Sequence, residues 1–267
     1  MYYVYMLLIV RNICVDRKDR RKSRDWHVTL RPTHPRNSSS ACYGVLLSED
    51  WALTRQTCTD KLLPETKSSI SVKVGRKHAR DIILSVDHVG GTNTHNFDLR
   101  LLRLAKHSKS STDVLPCLLT HSQFHQLSQQ LRYGVYTSRT NRGGKWRLVT
   151  KRGKLLSKCD SMSDICVRAT GVKNVTGFHV QGSPLSLQYE GMWYLAGLGS
   201  VVPDVHNVAT FTPLWGVSNW LANTMHEIDS KCTFEMKAKN KTVTCKQLSL
   251  DGHLHSKYLQ SMNEYGT

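Results

Sequence analysis

A chain of 267 residues is long enough for one large all-β domain or two small domains. Its hydrophobic content of 39% is that of an ordinary globular protein, which excludes disorder along the whole chain. The formal net charge of +17 indicates anionic partners, such as a sulfated polysaccharide, an acidic protein, a membrane surface or a nucleic acid. The alternative is a basic surface with no dedicated partner.

The first segment, residues 1–24, has two contrasting halves. Met1–Val10 is almost entirely apolar but shorter than the ~20 residues that span a bilayer. It is either the apolar core of a signal peptide or the interior of a longer protein. The second half is a dense basic run without apolar periodicity, which predicts an exposed, flexible strip. Its basic residues are Arg17, Lys18, Arg20, Arg21, Lys22 and Arg24.

The next stretch is dominated by strand patterns. Two apolar runs, Val45–Leu47 and Trp51–Leu53, flank a polar Ser-Glu-Asp turn, which predicts a β-hairpin. Cys42 and Cys58 bracket this hairpin, and a bridge between them would contribute roughly 3 kcal/mol in the chain-entropy model. Further strands are predicted at Trp26–Leu30, Ile70–Val74 and Ile82–Val86.

The second half of the chain has fewer clear patterns. Gly143 and Gly144 predict a mobile loop inside a basic stretch. The basic residues proposed there for an anionic partner are Arg142, Lys145, Arg147, Lys151 and Arg152. Apolar residues from Val217 to Ile228 recur at helical spacing and predict a C-terminal amphipathic helix. Residues 229–267 are polar and basic, and form either a linker or a frayed end.

The eight cysteines form an even set without a Cys-x-x-Cys pair or the Cys/His spacing of a zinc site. We therefore predict disulfide bonds, with no metal and no cofactor. Disulfides persist in oxidising compartments, so a secreted, extracellular protein is expected. Three Asn-x-Ser/Thr tripeptides are then glycosylation acceptors, at Asn37, Asn174 and Asn240.

Four segments together resemble trypsin-like (chymotrypsin-fold) serine proteases. Cys42–Cys58 is similar to the segment that carries the catalytic histidine, and Asn96–Leu104 to the segment of the catalytic aspartate. Gly177–Leu185 is similar to Cys-Gln-Gly-Asp-Ser-Gly-Gly-Pro-Leu, around the nucleophilic serine, and Trp193–Ser200 to the strand that follows it. The resemblance covers residues 25–228. It implies an all-β fold of two six-stranded antiparallel β-barrels with a C-terminal α-helix.

The same resemblance implies disulfide pairs. It pairs Cys42 with Cys58 and Cys159 with Cys166, and makes Cys14 the candidate partner of Cys117. Outside the resemblance, Cys232 and Cys245 are expected to close a small loop of their own.

The catalytic positions depart from the family pattern. Thr57 stands at the position of the histidine and Gln181 at that of the serine, and only Asp98 is kept. Acyl transfer by this template needs a serine oxygen, a histidine base and an aspartate that orients it. The chain is therefore expected not to be an enzyme. Asp98 is interpreted as a structural carboxylate that the hydroxyls of Thr57 and Ser200 satisfy.

Positions around the catalytic residues also differ from the family pattern. His179 replaces the glycine of the oxyanion hole, and Val180 replaces the aspartate that pairs with the N-terminal ammonium of active enzymes. Val175 and Val201 replace pocket residues, and Gly177 replaces a cysteine that braces the pocket wall. We therefore do not expect the pocket that these positions would form to recognise a basic side chain.

The resulting hypothesis is a non-catalytic, extracellular binding or regulatory domain in a proteolytic cascade. It resembles the protease-like domains of mosaic proteases of the nudel type. Its expected partner is an extracellular protein, such as an active serine protease or its substrate, or a sulfated glycan. No membrane span and no nucleic-acid partner are expected. The alternatives are a serine-type endopeptidase with a degenerate site, served by a histidine such as His95, and a heparin-binding module.

Overall fold

The computed structural model describes residues 26–32, 41–62, 70–74, 79–88, 98–105, 116–142, 145–157, 159, 164–170, 180–200, 208–237 and 240–245, without the side chains of 79, 137–148 and 233–245. These residues form two β-barrels, three α-helices and a C-terminal hairpin. The predicted all-β fold of two six-stranded barrels with a C-terminal helix is confirmed.

Six antiparallel strands form the first barrel. They are β1 (His27–Pro32), β2 (Cys42–Leu46), β3 (Trp51–Arg55), β4 (Ile70–Val74), β5 (Ala79–Asp87) and β6 (Leu99–Leu104). Strand β1 pairs with β2 on one side and with β4 on the other, which closes the barrel. In β4, buried Ile70, Val72 and Val74 alternate with Ser71 and Lys73, the period-two pattern of a strand with one face in the core.

Six further strands form the second barrel, and a short strand joins its edge. The short strand is β7 (Cys117–Leu118). The barrel strands are β8 (Tyr133–Arg142), β9 (Lys145–Leu155), β10 (Ile165–Ala169), β11 (Pro184–Tyr189), β12 (Met192–Gly199) and β13 (Val208–Pro213). The barrel closes because β11 pairs with both β8 and β12, while β7 adds to β12 in parallel. The prediction of a mobile loop around Gly143 and Gly144 missed the two long strands, β8 and β9, that flank these glycines.

Helices connect and cover the barrels. They are α1 (Gln56–Leu62), α2 (His121–Gln130) and α3 (Ser218–Lys231), with a 3-10 turn at Trp215–Val217. Helix α2 was missed by the sequence analysis, although Thr120 and Gln123 form a capping box, a recognisable start signal. Helix α3 buries Leu221, Thr224 and Ile228, so its predicted amphipathic packing is found.

The segment after α3 differs from the polar tail that was predicted. Strands β14 (Cys232–Lys237) and β15 (Asn240–Cys245) form a hairpin in which Cys232 lies opposite Cys245. Within the described residues, no helix combines the length and apolar character that a membrane crossing requires.

Candidate functional site

The candidate site lies where the two barrels meet, at a junction that we call the cleft. Strand β3 ends at Arg55, and Gln56 and Thr57 open helix α1 directly afterwards. Because Arg55 is paired with Leu99 across the β3–β6 ladder, Asp98 lies beside the start of α1. The backbone N–H of Gln56 donates to the carbonyl of Asp98 at 3.2 Å, which holds the two segments together.

Asp98 is the centre of a hydrogen-bonded network. The backbone N–H of Thr57 donates to Asp98 Oδ1 at 2.7 Å, and the Thr57 hydroxyl donates to Asp98 Oδ2 at 2.8 Å. The Gln181 amide, from the second barrel, donates through Nε2 to Thr57 Oγ1 at 3.1 Å. The structure therefore brings together the three residues that the sequence analysis singled out.

Arg55 is a member of this network that sequence reasoning missed. Its Nε lies 3.0 Å from Asp98 Oδ2, and its Nη1 donates to Thr212 Oγ1 of β13 at 2.8 Å. Burial lowers the pKa of the Arg55 guanidinium, and the carboxylates of Asp98 and Asp164 oppose this shift. A guanidinium is still fully protonated at neutral pH, so it needs these partners inside the protein. The available signal was an arginine that ends the otherwise uncharged, buried strand β3.

The backbone at Asp98 is strained. Its φ of 49° lies in the left-handed region, which costs a non-glycine residue about 1–2 kcal/mol. Such strain persists where surrounding contacts impose it, and it concentrates at functional sites. Here the contacts are the hydrogen bonds from Gln56 and Thr57 and the ion pair with Arg55.

A tight turn places Gln181 in the cleft. The N–H of Ser183 donates to the carbonyl of Val180 at 2.7 Å, and Gly182 occupies the third position of the turn with a φ of 75°. A type II turn requires a positive φ there, which favours glycine. A Cβ at Gly182 would also lie 2.0 Å from the carbonyl oxygen of Tyr43 in β2. The turn therefore packs backbone against backbone across the two barrels.

Two neighbouring residues were also named from the sequence. The Ser200 hydroxyl donates to the carbonyl of Thr210 at 3.0 Å. Since a hydroxyl has one proton to donate, the prediction that Ser200 satisfies Asp98 is wrong, and Arg55 fills that role. Val180 is completely buried and packs in the core of the second barrel.

Two predicted disulfides and two of the predicted basic residues fall within the described part of the chain. Cys42 is bonded to Cys58 and Cys159 to Cys166. Cys117 and Cys232 are each disulfide-bonded too. Of the proposed basic residues, Lys151 is half-buried and Arg152 is exposed on β9. No group of three or more His, Cys, Asp or Glu side chains in the described part of the chain is arranged to hold a metal ion.

Several predicted positions lie outside the described residues or side chains. They are Cys14, the basic run 17–24, Asn37, His95, Arg142, Lys145, Arg147, Asn174, Val175, Gly177, His179, Val201, Asn240 and the side chain of Cys245.

Comparisons with known proteins agree with this architecture. The family model described as Trypsin matches residues 13–221. Vitamin K-dependent protein C of Oryctolagus cuniculus is 24% identical over 78% of this chain and 51% of its own length, so the chain spans about half of that relative. A solved structure of kallikrein-related peptidase 10 in complex with Zn2+ aligns with a TM-score of 0.52 and 19% identity, over 76% of this chain and 97% of that one. At 19% identity, the match to the kallikrein-related peptidase 10 structure shows only that the two chains share a fold.

These matches contradict the prediction that the chain is not an enzyme, because the matched family and relatives are serine proteases. The placement of Thr57 and Gln181 at the histidine and serine positions stays a prediction. So do the division into residues 1–24, 25–228 and 229–267, and the resemblance to nudel-type domains.

Proposed function

Because the chain belongs to the trypsin family of serine proteases, we propose that it binds another extracellular protein through the cleft between its barrels. The proposed partner is a polypeptide, such as a protease of the same family or a protease substrate. Two disulfides, Cys42–Cys58 and Cys159–Cys166, support an oxidising, extracellular location.

The observation that supports binding is the hydrogen-bonded chain that crosses the cleft. Gln181 of the second barrel donates to Thr57, Thr57 donates to Asp98, and Asp98 pairs with Arg55. Thr57 is exposed and Gln181 half-buried, so this ordered chain is accessible to a partner. A surface that is already ordered loses less conformational entropy when it binds, which favours recognition.

Peptide-bond hydrolysis is the second candidate, favoured by the family and by one distance. Thr57 Oγ1 lies 2.8 Å from Asp98 Oδ2. Thr57 Oγ1 would attack the peptide carbonyl carbon as its proton passes to Asp98, which then protonates the leaving amine; water would hydrolyse the resulting ester. The same carboxylate oxygen lies 3.0 Å from Arg55 Nε, so the guanidinium and the hydroxyl share its lone pairs. That shared oxygen favours the binding role.

A random peptide library panned on the full chain tests the cleft. Enriched peptides are measured by fluorescence anisotropy against the wild type, Gln181→Trp, which fills the cleft, and Asn219→Trp, an exposed control on α3. We expect Gln181→Trp to weaken binding at least about tenfold, and Asn219→Trp to leave it unchanged. Equal binding by Gln181→Trp would refute the proposal. Peptide cleavage that Thr57→Val abolishes would establish the hydrolytic candidate instead.

A further inference from the structure

A group of exposed basic side chains lies on the outer face of the second barrel and shares no residue with the network of Arg55, Thr57, Asp98 and Gln181. The register pairs Tyr133 of β8 with Lys154 of β9, and Lys154 with Arg168 of β10. Arg152 precedes Lys154 by two residues and therefore points to the same face. All four side chains are exposed. We call Arg152, Lys154 and Arg168, together with Tyr133, the cationic strip.

The cations of the strip have no carboxylate partner among the described side chains. None of Arg152, Lys154 and Arg168 forms an ion pair within the part of the chain whose side chains are described. Neighbouring strands are about 4.8 Å apart and alternate residues of a strand about 6.6 Å, so three positive charges are crowded into a small area. Their mutual repulsion is relieved when a polyanion covers them.

The strip is also partly ordered before anything binds. The Arg152 guanidinium carbon lies 4.5 Å from the centroid of the Tyr133 ring, a cation–π contact. Tyr133 is itself 39% exposed. The contact restrains the long arginine side chain, which lowers the entropy cost of using it as an anion ligand.

A groove extends the strip towards helix α2. Its volume is about 990 Å³, and Tyr133, Lys154 and the exposed Arg132 line one wall. Exposed His121 and His125 of α2 line the groove as well. Asp164 is the carboxylate among the lining residues, and it interacts electrostatically with the buried Arg55. The groove therefore provides a basic path for an extended anionic chain.

The backbone of this face favours a polysaccharide over an acidic peptide. Strands β8, β9 and β10 are interior strands in the order β11-β8-β9-β10-β13. Since each has a neighbour on both sides, their ladders leave few main-chain groups for a peptide that adds as a strand. Recognition then depends on the positive side chains of the strip. A densely sulfated chain offers them the highest density of negative charge.

We propose that the cationic strip binds a sulfated polysaccharide. This surface is distinct from the cleft, so it does not depend on the polypeptide partner proposed above. It allows the protein to be held in an extracellular matrix while the cleft stays accessible.

Binding of a heparin octasaccharide to the full chain, measured by calorimetry at about 0.15 M salt, tests the proposal. The strip variant is R152Q/K154Q/R168Q. The control is R31Q/K61Q/K73Q, which removes the same charge from exposed positions of the first barrel and of helix α1. We expect the strip variant to lose about tenfold or more in affinity and the control less than about twofold. The dependence of affinity on salt should also become shallower in the strip variant.

Three outcomes would overturn the proposal. Equal losses in both variants would mean that net charge alone governs binding, and no loss in the strip variant would place the site elsewhere. Poly-glutamate that binds as tightly as heparin would assign the strip to acidic peptides. Gln181→Trp should bind heparin like the wild type, and the strip variant should bind cleft peptides like the wild type. The two proposals can therefore fail separately. Thermal unfolding by circular dichroism checks that each variant is folded.

Discussion

Replacing Arg55 by methionine removes the guanidinium that links Asp98 of the first barrel to Thr212 of the second, and keeps a side chain of similar length. Arg55 Nε lies 3.0 Å from Asp98 Oδ2, and Nη1 donates to Thr212 Oγ1 at 2.8 Å. The Arg55 side chain is 8% exposed and that of Asp98 24%. The variant therefore leaves a partly solvated carboxylate without its cation.

The expected loss follows from this difference in burial. Removing one partner of a buried ion pair costs about 3–5 kcal/mol. Asp98 keeps access to water and two hydrogen bonds from Thr57, so Arg55→Met should lose about 2–3 kcal/mol of unfolding free energy. Asp98→Asn removes the negative charge that pairs with the more deeply buried Arg55 guanidinium. This variant should lose about 4 kcal/mol of unfolding free energy. The double variant should lose less than the sum, by about 2 kcal/mol.

Equilibrium urea unfolding followed by tryptophan fluorescence measures all three losses against the wild type. Lys61→Met, at an exposed position, is the control and should change stability little. A loss below about 0.5 kcal/mol for Arg55→Met, the range of an exposed ion pair, would contradict a buried link between the barrels. A smaller loss for Asp98→Asn than for Arg55→Met would contradict it equally.

Three further perturbations test other parts of the fold. Gly182→Ala should destabilise clearly more than Gly191→Ala in urea unfolding, because both glycines have a positive φ but only the Gly182 Cβ would collide with β2. Equal losses would mean that the close contact is not rigid. Burial lowers the pKa of His88, so its neutral form is favoured in the folded state and stability should fall as pH drops below the ordinary histidine value of about 6.5. His88→Gln should flatten this pH dependence, and an unchanged profile would assign it to other groups. Asp229→Asn weakens the acceptor of the Trp51 indole N–H and removes the charge that pairs with Arg103, so it should cost about 1–2 kcal/mol. Tryptophan fluorescence should change as well, and an unaltered spectrum would contradict the Trp51 contact.

Much of the site was predictable because its backbone is local. The resemblance of two short segments to family motifs identifies Thr57 and Gln181. Each segment is local in structure, since Thr57 opens a helix directly after a strand and Gln181 precedes Gly182 in a tight turn. The partners of their side chains were not predictable in the same way. Ser200 was expected to contact Asp98, and Arg55 was overlooked. Which hydroxyl or cation reaches this partly buried carboxylate depends on how two distant strands are packed.

The sequence by itself determined several strands of the first barrel and the amphipathic helix α3, because period-two and period-3.6 patterns report which faces are buried. It also determined the family, through motifs whose spacing matches an established scaffold. Only the tertiary structure decided that Arg55 ties the barrels together and that Arg152, Lys154 and Arg168 meet on one face. Arg55 and Thr212, and likewise Arg168 and the pair Arg152 and Lys154, are separated along the chain, and they become neighbours only when barrel packing and strand register bring their side chains to the same place.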